Sequence, residues 1–389
     1  MRTLVIGCNH RTAPVRTRER IALSAEALPR AAEEFRARFP GAQFAFLSTC
    51  NRMEIYLTAP EGATPRIAEV IAFLGEFHGV GPEVFAAGLY THEDVAAARH
   101  LFRVASSLDS MVVGESQILA QVKSALEQAR AVGSSGPQLE AMFEQALAVA
   151  RDIHARTGLS AGKVSVGSVA ADLAGRIFSS LDDKRVLMVG AGEMAEITLS
   201  HLLAEADIAV TSTAAREPLL TAAAFAAIPR RGYRSLLIID IAVPRNVDPE
   251  VGEQAGVFLY NIDDLQEVTE RNLAQRRDAV AVGEAMVESA VIEYAGRCLR
   301  RDLSPMIIAL RRRFQVVADE ELARILPKLK EASGHDRRLI EQMLHRVLAK
   351  LLHGPMSLLG EQADPGTAMV YADALRRLFD LQEEDLERD

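Results

Sequence analysis

The stretch that most constrains the fold runs from Arg185 to Ala195 and has the sequence RVLMVGAGEMA. An apolar run precedes a G-x-G-x-x-A pattern, and helix-forming residues follow it. In dinucleotide-binding folds these glycines let the backbone approach a pyrophosphate at the N-terminus of a helix. The pattern alone is weak evidence, but the strand before it and the helix after it are the required context. We predict a parallel α/β nucleotide-binding domain. Its candidate coenzyme-binding residues are Gly190, Ala191, Gly192, Glu193, Met194 and Ala195.

Two apolar runs enclose a short polar connection that contains Cys50. The runs Phe44–Leu47 and Glu54–Thr58 are bounded by small polar residues, which is typical of neighbouring strands. Because apolar and polar residues alternate in the second run, we expect that strand to be half-buried. Mixed strands and helices without a regular βαβ repeat predict an α+β domain over residues 1–158.

Cys50 is the candidate nucleophile of this first domain. A cysteine held between two core strands is well placed to react, although a single cysteine is more often a small buried hydrophobic residue. Arg52 is expected to favour the thiolate, and Thr49 and Asn51 are polar neighbours. From these surroundings alone, both interpretations stay open.

The composition, with 49% hydrophobic and 25% charged residues among 389, is that of an ordinary protein of two or three domains. No run approaches the ~18 apolar residues of a membrane-spanning helix, and the apolar N-terminal stretch is too short for a signal peptide. Cys8, Cys50 and Cys298 have neither disulfide nor metal-ligand spacing. We therefore expect a cytoplasmic protein without a metal site.

The net charge of −9 argues against sequence-independent binding along a nucleic-acid backbone, which needs a broad positive surface. It leaves open the docking of one shaped RNA on local basic faces. Candidate basic residues are Arg151, Arg156, Lys163 and Arg311–Arg313, each of which is also explained as part of a solvated helix face.

A polar cluster follows an apolar helical pattern at residues 101–108. It contains Asp109, Ser110, Glu115 and Gln117. A loop at such a break between helices can face a ligand. Helix capping around a turn explains Asp109 and Ser110 almost as well.

Five motifs, in order, resemble those of glutamyl-tRNA reductase. They are Gly7–Val15, Ser48–Tyr56, His100–Lys123, Ile239–Arg245 and Leu259–Leu265, and the similarity continues to Pro355. The resemblance implies reduction of the glutamate carried by glutamyl-tRNA to glutamate-1-semialdehyde with NADPH, the first step of five-carbon tetrapyrrole synthesis. It also implies a homodimer, and a downstream semialdehyde aminomutase as a possible partner.

The resemblance assigns roles to residues of the first domain. It implies that Cys50 attacks the ester and forms a thioester, that Arg52 holds the free carboxylate of the substrate, and that His100 assists at the carbonyl or the leaving hydroxyl. The predicted substrate-binding residues are Thr49, Asn51, Arg52, Ser110, Glu115, Ser116, Gln117 and Gln121. Ser107 stands where the family usually has glycine, and we expect this difference to be tolerated.

The strand predicted at 207–213 has two interpretations. By spacing it is the second strand of the nucleotide fold, which would make Arg216 a candidate partner of the coenzyme 2′-phosphate. By resemblance it matches a later strand of the family, so that one βαβ unit, with its Asn-Arg-Thr stretch for the phosphate, is missing. We favour the second interpretation because the downstream motifs stay in register. Coenzyme affinity is then expected to be impaired.

A long charged helix is predicted after the possible N-cap residues Asp263 and Asp264, and resemblance makes it a spinal helix that leads to a helical dimerisation domain. The predicted organisation is an α/β multidomain protein. It comprises an α+β catalytic domain at 1–158, a shortened Rossmann-like parallel-sheet domain at 159–263, and the spinal helix with an all-α dimerisation domain at 264–389. The alternative to a reductase is a reductase-derived protein that binds glutamyl-tRNA, regulates, or hydrolyses the thioester.

Overall fold

The computed structural model describes residues 2–381 except 61, 112, 116, 158, 160–165, 179, 191–201, 214, 216, 229–233, 266–276, 329–332 and 362–364. Contacts divide the chain into two compact units, Met1–Ala290 and Val291–Asp389. The three domain boundaries predicted from the sequence remain a prediction.

The first unit begins with a four-stranded antiparallel sheet. Its strands are β1 (Arg2–Asn9), β2 (Gln43–Ser48), β3 (Arg52–Ala59) and β4 (Tyr90–Glu93), in the order β2-β3-β1-β4. The two strands predicted from the apolar runs Phe44–Leu47 and Glu54–Thr58 are confirmed as β2 and β3, each with slightly wider bounds. β2 and β3 form a hairpin, so the residues around Cys50 are its turn.

One face of this sheet packs on helices α1 (Val15–Ile21), α2 (Leu28–Arg38) and α3 (Ile67–His78). The ring of Phe35 on α2 lies at the centre of that core, with Phe44 at 4.6 Å and Phe73 at 4.9 Å between ring centroids. The sequence predicts that Ser24 caps a helix here. Instead, α2 begins at Leu28, and the Ser24 hydroxyl accepts the amide of Ala27 (3.3 Å) in the turn before it.

Helices also cover the second face of the sheet. They are α4 (Asp94–Ala105) and α6 (Pro137–Thr157), with α5 (Gln117–Ala131) against β2. The ring of Phe143 on α6 meets Tyr56 on β3 edge to face at 5.3 Å. All eight residues of β3 are buried, so the prediction of a half-buried strand is wrong. The polar positions of the alternating pattern face helices and not water.

The Rossmann-like part follows α7 (Val166–Ile177). Strands β5 (Val186–Val189), β6 (Ile208–Thr211), β7 (Leu236–Asp240) and β8 (Val257–Asn261) form a parallel sheet in sequential order. This confirms the predicted parallel sheet. The helix predicted at 221–228 is shorter, α8 (Ala222–Ala226), and Thr221 caps it by accepting the amide of Ala224 at 3.1 Å.

The strand order bears on the two interpretations of the 207–213 stretch. In the classic order 3-2-1-4-5-6, the fourth strand returns to the other side of the first. Here β8, fourth in sequence, pairs with β7, and no reversal occurs among the described strands. β5 is an edge strand, with Val186 59% and Met188 65% exposed. This arrangement agrees with loss of the second and third strands of the classic order.

The long helix α9 (Arg277–Ile325) confirms the predicted spinal helix. In the first unit it lies against α4, where Arg99 pairs with Glu288 (2.7 Å) and Arg103 with Glu284 (2.9 Å). Its predicted beginning after Asp264 lies in 266–276, outside the described residues. The carboxylate of Asp263 accepts the amide of Val15 at 2.7 Å.

The second unit consists of the rest of α9 with α10 (Gly334–Glu361) and α11 (Pro365–Leu378). α9 continues through Pro305, which is exposed, while Met306 and Leu310 pack in the core of this unit. Among the described residues, no helix has the length and apolar character needed to cross a membrane.

Replacing Phe35 with alanine tests the core under the catalytic sheet. We expect Phe35→Ala to lower the free energy of unfolding by about 3–5 kcal/mol, because a fully buried ring is lost from an aromatic cluster. Urea unfolding followed by circular dichroism measures it, since the chain has no tryptophan. Phe258→Ala is the matched control: Phe258 is 43% exposed, so its replacement should lower the free energy of unfolding by less. Equal losses would contradict the central position of Phe35.

Candidate active site

The turn between β2 and β3 holds Cys50 at its tip. The amide of Thr49 donates to the carbonyl of Arg52 (2.8 Å), and the Thr49 hydroxyl accepts the amides of Asn51 (3.1 Å) and Arg52 (3.2 Å). The amide of His10 donates to the carbonyl of Asn51 at 2.9 Å. The turn is therefore closed within itself and fastened to the end of β1.

A buried arginine holds the backbone of Cys50. Nε and Nη2 of Arg18 donate to the Cys50 carbonyl at 3.3 and 3.2 Å, and Nη1 donates to the Ala13 carbonyl at 2.8 Å. Nη2 also pairs with Asp263, just after β8, at 2.8 Å. The guanidinium thus joins the nucleophile turn to the Rossmann-like sheet.

The side chain of Cys50 is half-buried and packs against an apolar cluster that joins Met111, in the loop after α4, to Ile262 and Leu265 of the Rossmann-like part. Burial and the carboxylate of Glu115 raise the pKa of the thiol to about 11, against smaller opposing effects of Arg18 and Arg52. The expectation that Arg52 favours the thiolate holds for its own charge, but burial outweighs it. The thiol is protonated at neutral pH.

Arg52 is 2% exposed and fully engaged by protein groups. Its Nη1 pairs with Glu54 at 2.7 Å, and its Nη2 donates to the backbone carbonyl of Asp109. The Asp109 carboxylate lies 3.4 Å away, and it has a closer partner in Arg11 at 3.0 Å. In this structure both terminal nitrogens of the Arg52 guanidinium bind protein groups.

His100, on α4, shares the carboxylate that binds Arg52. Its Nε2 lies 2.8 Å from Oε1 of Glu54, and its ring stacks on His92 with 4.6 Å between centroids. The structure therefore brings His100 and Arg52 together through Glu54.

The loop after α4 carries the remaining predicted residues. Ser107 has φ +61, which explains why glycine suits this position, and its hydroxyl accepts the amide of Gly114 at 3.1 Å. Ser110 is half-buried and Glu115 is buried. Ser116 lies outside the described residues. Gln117 and Gln121 are on the first turns of α5. Among the described residues, their side chains make no hydrogen bond to another predicted site residue.

Two buried polar atoms beside the turn have no hydrogen-bond partner among the described residues. They are Nδ1 of His10 and Oδ1 of Asn51, whose backbones are hydrogen-bonded to each other. Burial and the neighbouring Arg11 lower the pKa of His10 to about 4, so its imidazole is neutral at physiological pH. Oδ1 of Asn51 can accept a hydrogen bond from a ligand, and so can Nδ1 of His10 in the tautomer that has its proton on Nε2.

Of the predicted coenzyme residues, Gly190 is described and is exposed at the end of β5. Ala191, Gly192, Glu193, Met194 and Ala195 lie outside the described residues, as does Arg216.

Sequence reasoning missed Glu54, Tyr90 and Arg18 as residues of the site. A signal for Glu54 was present, because opposite charges at positions 52 and 54 of a strand point to the same side and can pair. Tyr90 is distant in sequence from its partner Glu54, and Arg18 from its partner Cys50, so neither had such a signal.

Models of known protein families match three successive parts of the chain. The model of the glutamyl-tRNA reductase N-terminal domain matches residues 6–157, and that of the dimerisation domain of the same family matches 283–381. Residues 197–268 match the shikimate / quinate 5-dehydrogenase family. A glutamyl-tRNA reductase of Syntrophotalea carbinolica is 38% identical, covering 98% of this chain and 95% of the relative. The chain belongs to the glutamyl-tRNA reductase family.

Other members of this family agree over nearly the full length. The glutamyl-tRNA reductase of Rubrobacter xylanophilus is 37% identical, with coverage of 97% of this chain and 96% of the relative. The solved glutamyl-tRNA reductase of Methanopyrus kandleri is 27% identical, with a TM-score of 0.50 and coverage of 97% and 99%. The alignment with the Syntrophotalea protein extends over 421 residues, so the relative carries residues that this 389-residue chain lacks.

The reactivity of Cys50 tests its electrostatic surroundings. At neutral pH we expect slow modification by iodoacetamide, rising as the pH approaches about 11, because only the thiolate reacts. Glu115→Gln removes a negative charge that raises the pKa, so modification at mildly alkaline pH should accelerate by up to about tenfold. Peptide mass spectrometry follows Cys50 separately from Cys8 and Cys298.

The control is Glu127→Gln on α5, which removes an exposed carboxylate paired with Lys123 and should leave the rate unchanged. No acceleration in Glu115→Gln would show that this carboxylate does not act on the thiol.

Proposed function

We propose that this chain transfers the glutamyl group of glutamyl-tRNA to Cys50 and reduces the resulting thioester to glutamate-1-semialdehyde with NADPH, the first step of five-carbon tetrapyrrole synthesis. Family membership supports the reaction. The observation that carries it is the position of Cys50, which is in the turn between two strands of the catalytic sheet and packs against an apolar cluster that Met111 shares with Ile262 and Leu265 of the Rossmann-like part. A thiol that must first take an acyl group and then present it to a hydride donor needs such a position.

The acyl transfer follows from the chemistry of the thiol. The Cys50 sulfur attacks the ester carbonyl carbon, the bond to the ribose oxygen breaks, and the thiol proton must reach that oxygen. Because the pKa of the thiol is raised to about 11, a base has to assist. His100 is the proposed base.

Substrate binding by Arg52 requires an exchange of partners. The free carboxylate of the glutamyl group would replace Asp109 on the guanidinium fork, a planar geometry that suits a carboxylate. Asp109 would keep hydrogen bonds from Arg11 at 3.0 Å and Asn9 at 3.4 Å. The exchange therefore leaves no buried charge without a partner.

The other proposed contacts concern the rest of the glutamyl group. The unpartnered acceptors of Asn51 and His10 suit its α-ammonium group. Further substrate-binding residues on this proposal are Thr49, Ser110, Glu115, Ser116, Gln117 and Gln121.

The described Rossmann-like residues fit one half of a coenzyme site. Gly190 follows β5 at the carboxyl edge of a parallel sheet, where such folds bind a pyrophosphate, and the predicted loop Ala191–Ala195 would complete the cradle. The other half, at a reversal of strand order, has no counterpart among the described strands. When bound, NADPH supplies the hydride for the thioester carbon.

We also infer a homodimer from the match of residues 283–381 to a dimerisation domain. A cytoplasmic location and an interaction with the downstream aminomutase remain predictions of the family resemblance.

Incubation with charged glutamyl-tRNA, with and without NADPH, tests the proposal. We expect semialdehyde only with NADPH, a tRNA-free thioester on Cys50 without it, and neither product for Cys50→Ser. Cys298→Ser, which changes a cysteine in α9, is the matched control and should behave like wild type. Loss of ester in Cys50→Ser equal to wild type would refute the role of Cys50.

A second candidate function, thioester formation followed by hydrolysis, is favoured by the sequential order of the strands that the structure describes, β5-β6-β7-β8. It predicts weak coenzyme binding. We expect NADPH to bind more weakly than micromolar and no better than NADH, because on the favoured interpretation of residues 207–213 the stretch for the 2′-phosphate is missing. Fluorescence titration with both coenzymes measures this. Micromolar binding with a preference for NADPH would exclude impaired coenzyme use, whereas free glutamate released at equal rates with and without NADPH would establish the second candidate.

A further inference from the structure

Glu54, for which the sequence predicts no role, accepts hydrogen bonds from four side chains. Its Oε1 accepts hydrogen bonds from Nη1 of Arg52 at 2.7 Å, from Nε2 of His100 at 2.8 Å and from the hydroxyl of Tyr90. Its Oε2 receives the hydroxyl of Tyr56 at 2.5 Å. The side chain is 0% exposed.

The sheet leaves space for this carboxylate. Gly7 lies opposite Glu54 in the register of β1 and β3. A Cβ on Gly7 would come within 2.7 Å of Cγ of Glu54 and 2.4 Å of the Met53 carbonyl, distances that real side chains do not adopt. Groups from β1, β3, β4 and α4 therefore together form the enclosure of Glu54.

Glu54 is ionised in this enclosure. Burial alone would raise its pKa, but the charge of Arg52 and the hydrogen bonds from His100 and Tyr56 hold the pKa well below its usual range. An ionised carboxylate accepts hydrogen bonds and donates none. The contact at 2.8 Å therefore requires that Nε2 of His100 carries a proton.

The ring of His100 is also held in place. Tyr90 packs at its edge with 5.2 Å between centroids, and His92 stacks on it at 4.6 Å. A flip of the ring would break the bond between Nε2 and Glu54.

We propose that Glu54 is a positioning residue that fixes the tautomer of His100, with the proton on Nε2 and the lone pair on Nδ1, so that Nδ1 serves the acyl transfer. This rests on the proposed function of Cys50 and His100. Nδ1 takes the proton that leaves the thiol, and the ribose oxygen receives it when its bond to carbon breaks, so the step is balanced without another reactant. The Glu54 carboxylate stabilises the imidazolium formed between these two events, as the carboxylate of a catalytic triad does.

The competing explanation is that Glu54 only neutralises Arg52 and stabilises the fold. A double-mutant cycle with His100 separates the two. We expect Glu54→Gln to lower the single-turnover rate of acyl transfer at saturating glutamyl-tRNA by about 10- to 100-fold. In a His100→Asn background the same change should have little further effect, because the group through which Glu54 acts is already gone. Equal losses in both backgrounds would overturn the proposal.

Tyr56→Phe is the matched control. It removes a hydrogen bond from Oε2 and keeps the bond between Oε1 and His100. Its effect on the rate should be the same in the wild-type and His100→Asn backgrounds. A Tyr56→Phe effect that vanishes in His100→Asn would count against the specific role of Oε1.

A second measurement needs no change at Glu54. Long-range proton–nitrogen spectra of the chain labelled with ¹⁵N-histidine distinguish the two neutral tautomers, and His100→Asn assigns the signal. We expect the proton on Nε2; a proton on Nδ1 in an active enzyme overturns this inference alone. If Cys50→Ser retains acyl transfer, the proposed function fails, whatever the spectra show.

Discussion

The ion pair between Arg52 and Glu54, buried at the start of β3, sets the conditions for the rest of the catalytic sheet. Taking two charges out of water costs several kcal/mol for each ion, and attraction repays this only when the remaining donors and acceptors also have partners. Two tyrosines and His100 complete the acceptor sites of Glu54, and Asp109 completes the fork of Arg52. Removing one member leaves a buried charge without its partner, so the reactive part of the sheet is also its least tolerant part.

Sequence patterns located the strands but not what covers them. The alternation in residues 54–58 predicts one polar face, and that prediction fails because α4 and α6 cover it. Their packing depends on contacts between residues about 40 to 90 positions apart, which no local window contains. The thiol is a similar case: Arg52 is near in sequence and was weighed, whereas the apolar residues around Ile262 are distant and determine the direction of the pKa shift.

The Rossmann-like sheet shows which features the glycine motif of the sequence specifies and which features it leaves open. A strand, glycines and a helix specify a local approach to a phosphate, and they are present in the sequence. The order of strands depends on long-range pairing, and β8 could have been expected on either side of β5 from its apolar run alone. Family register favoured the shortened sheet, and the pairing of β8 with β7 agrees with it. The physical result is an edge at β5, with two large apolar side chains exposed, where the classic order has a central strand.

Helix α1 couples the catalytic sheet energetically to the Rossmann-like sheet of the first unit. Its first amide and Arg18 both bind Asp263, Glu19 binds Arg245 at 2.7 Å, and Arg18 in turn holds the carbonyl of Cys50. Any ligand that shifts the end of β8 therefore changes the energy of the nucleophile turn. By reciprocity, loading an acyl group on Cys50 changes the affinity of the Rossmann-like part for its ligand by the same factor. The contacts of Val15, Arg18 and Glu19, all on one seven-residue helix, thus carry this coupling.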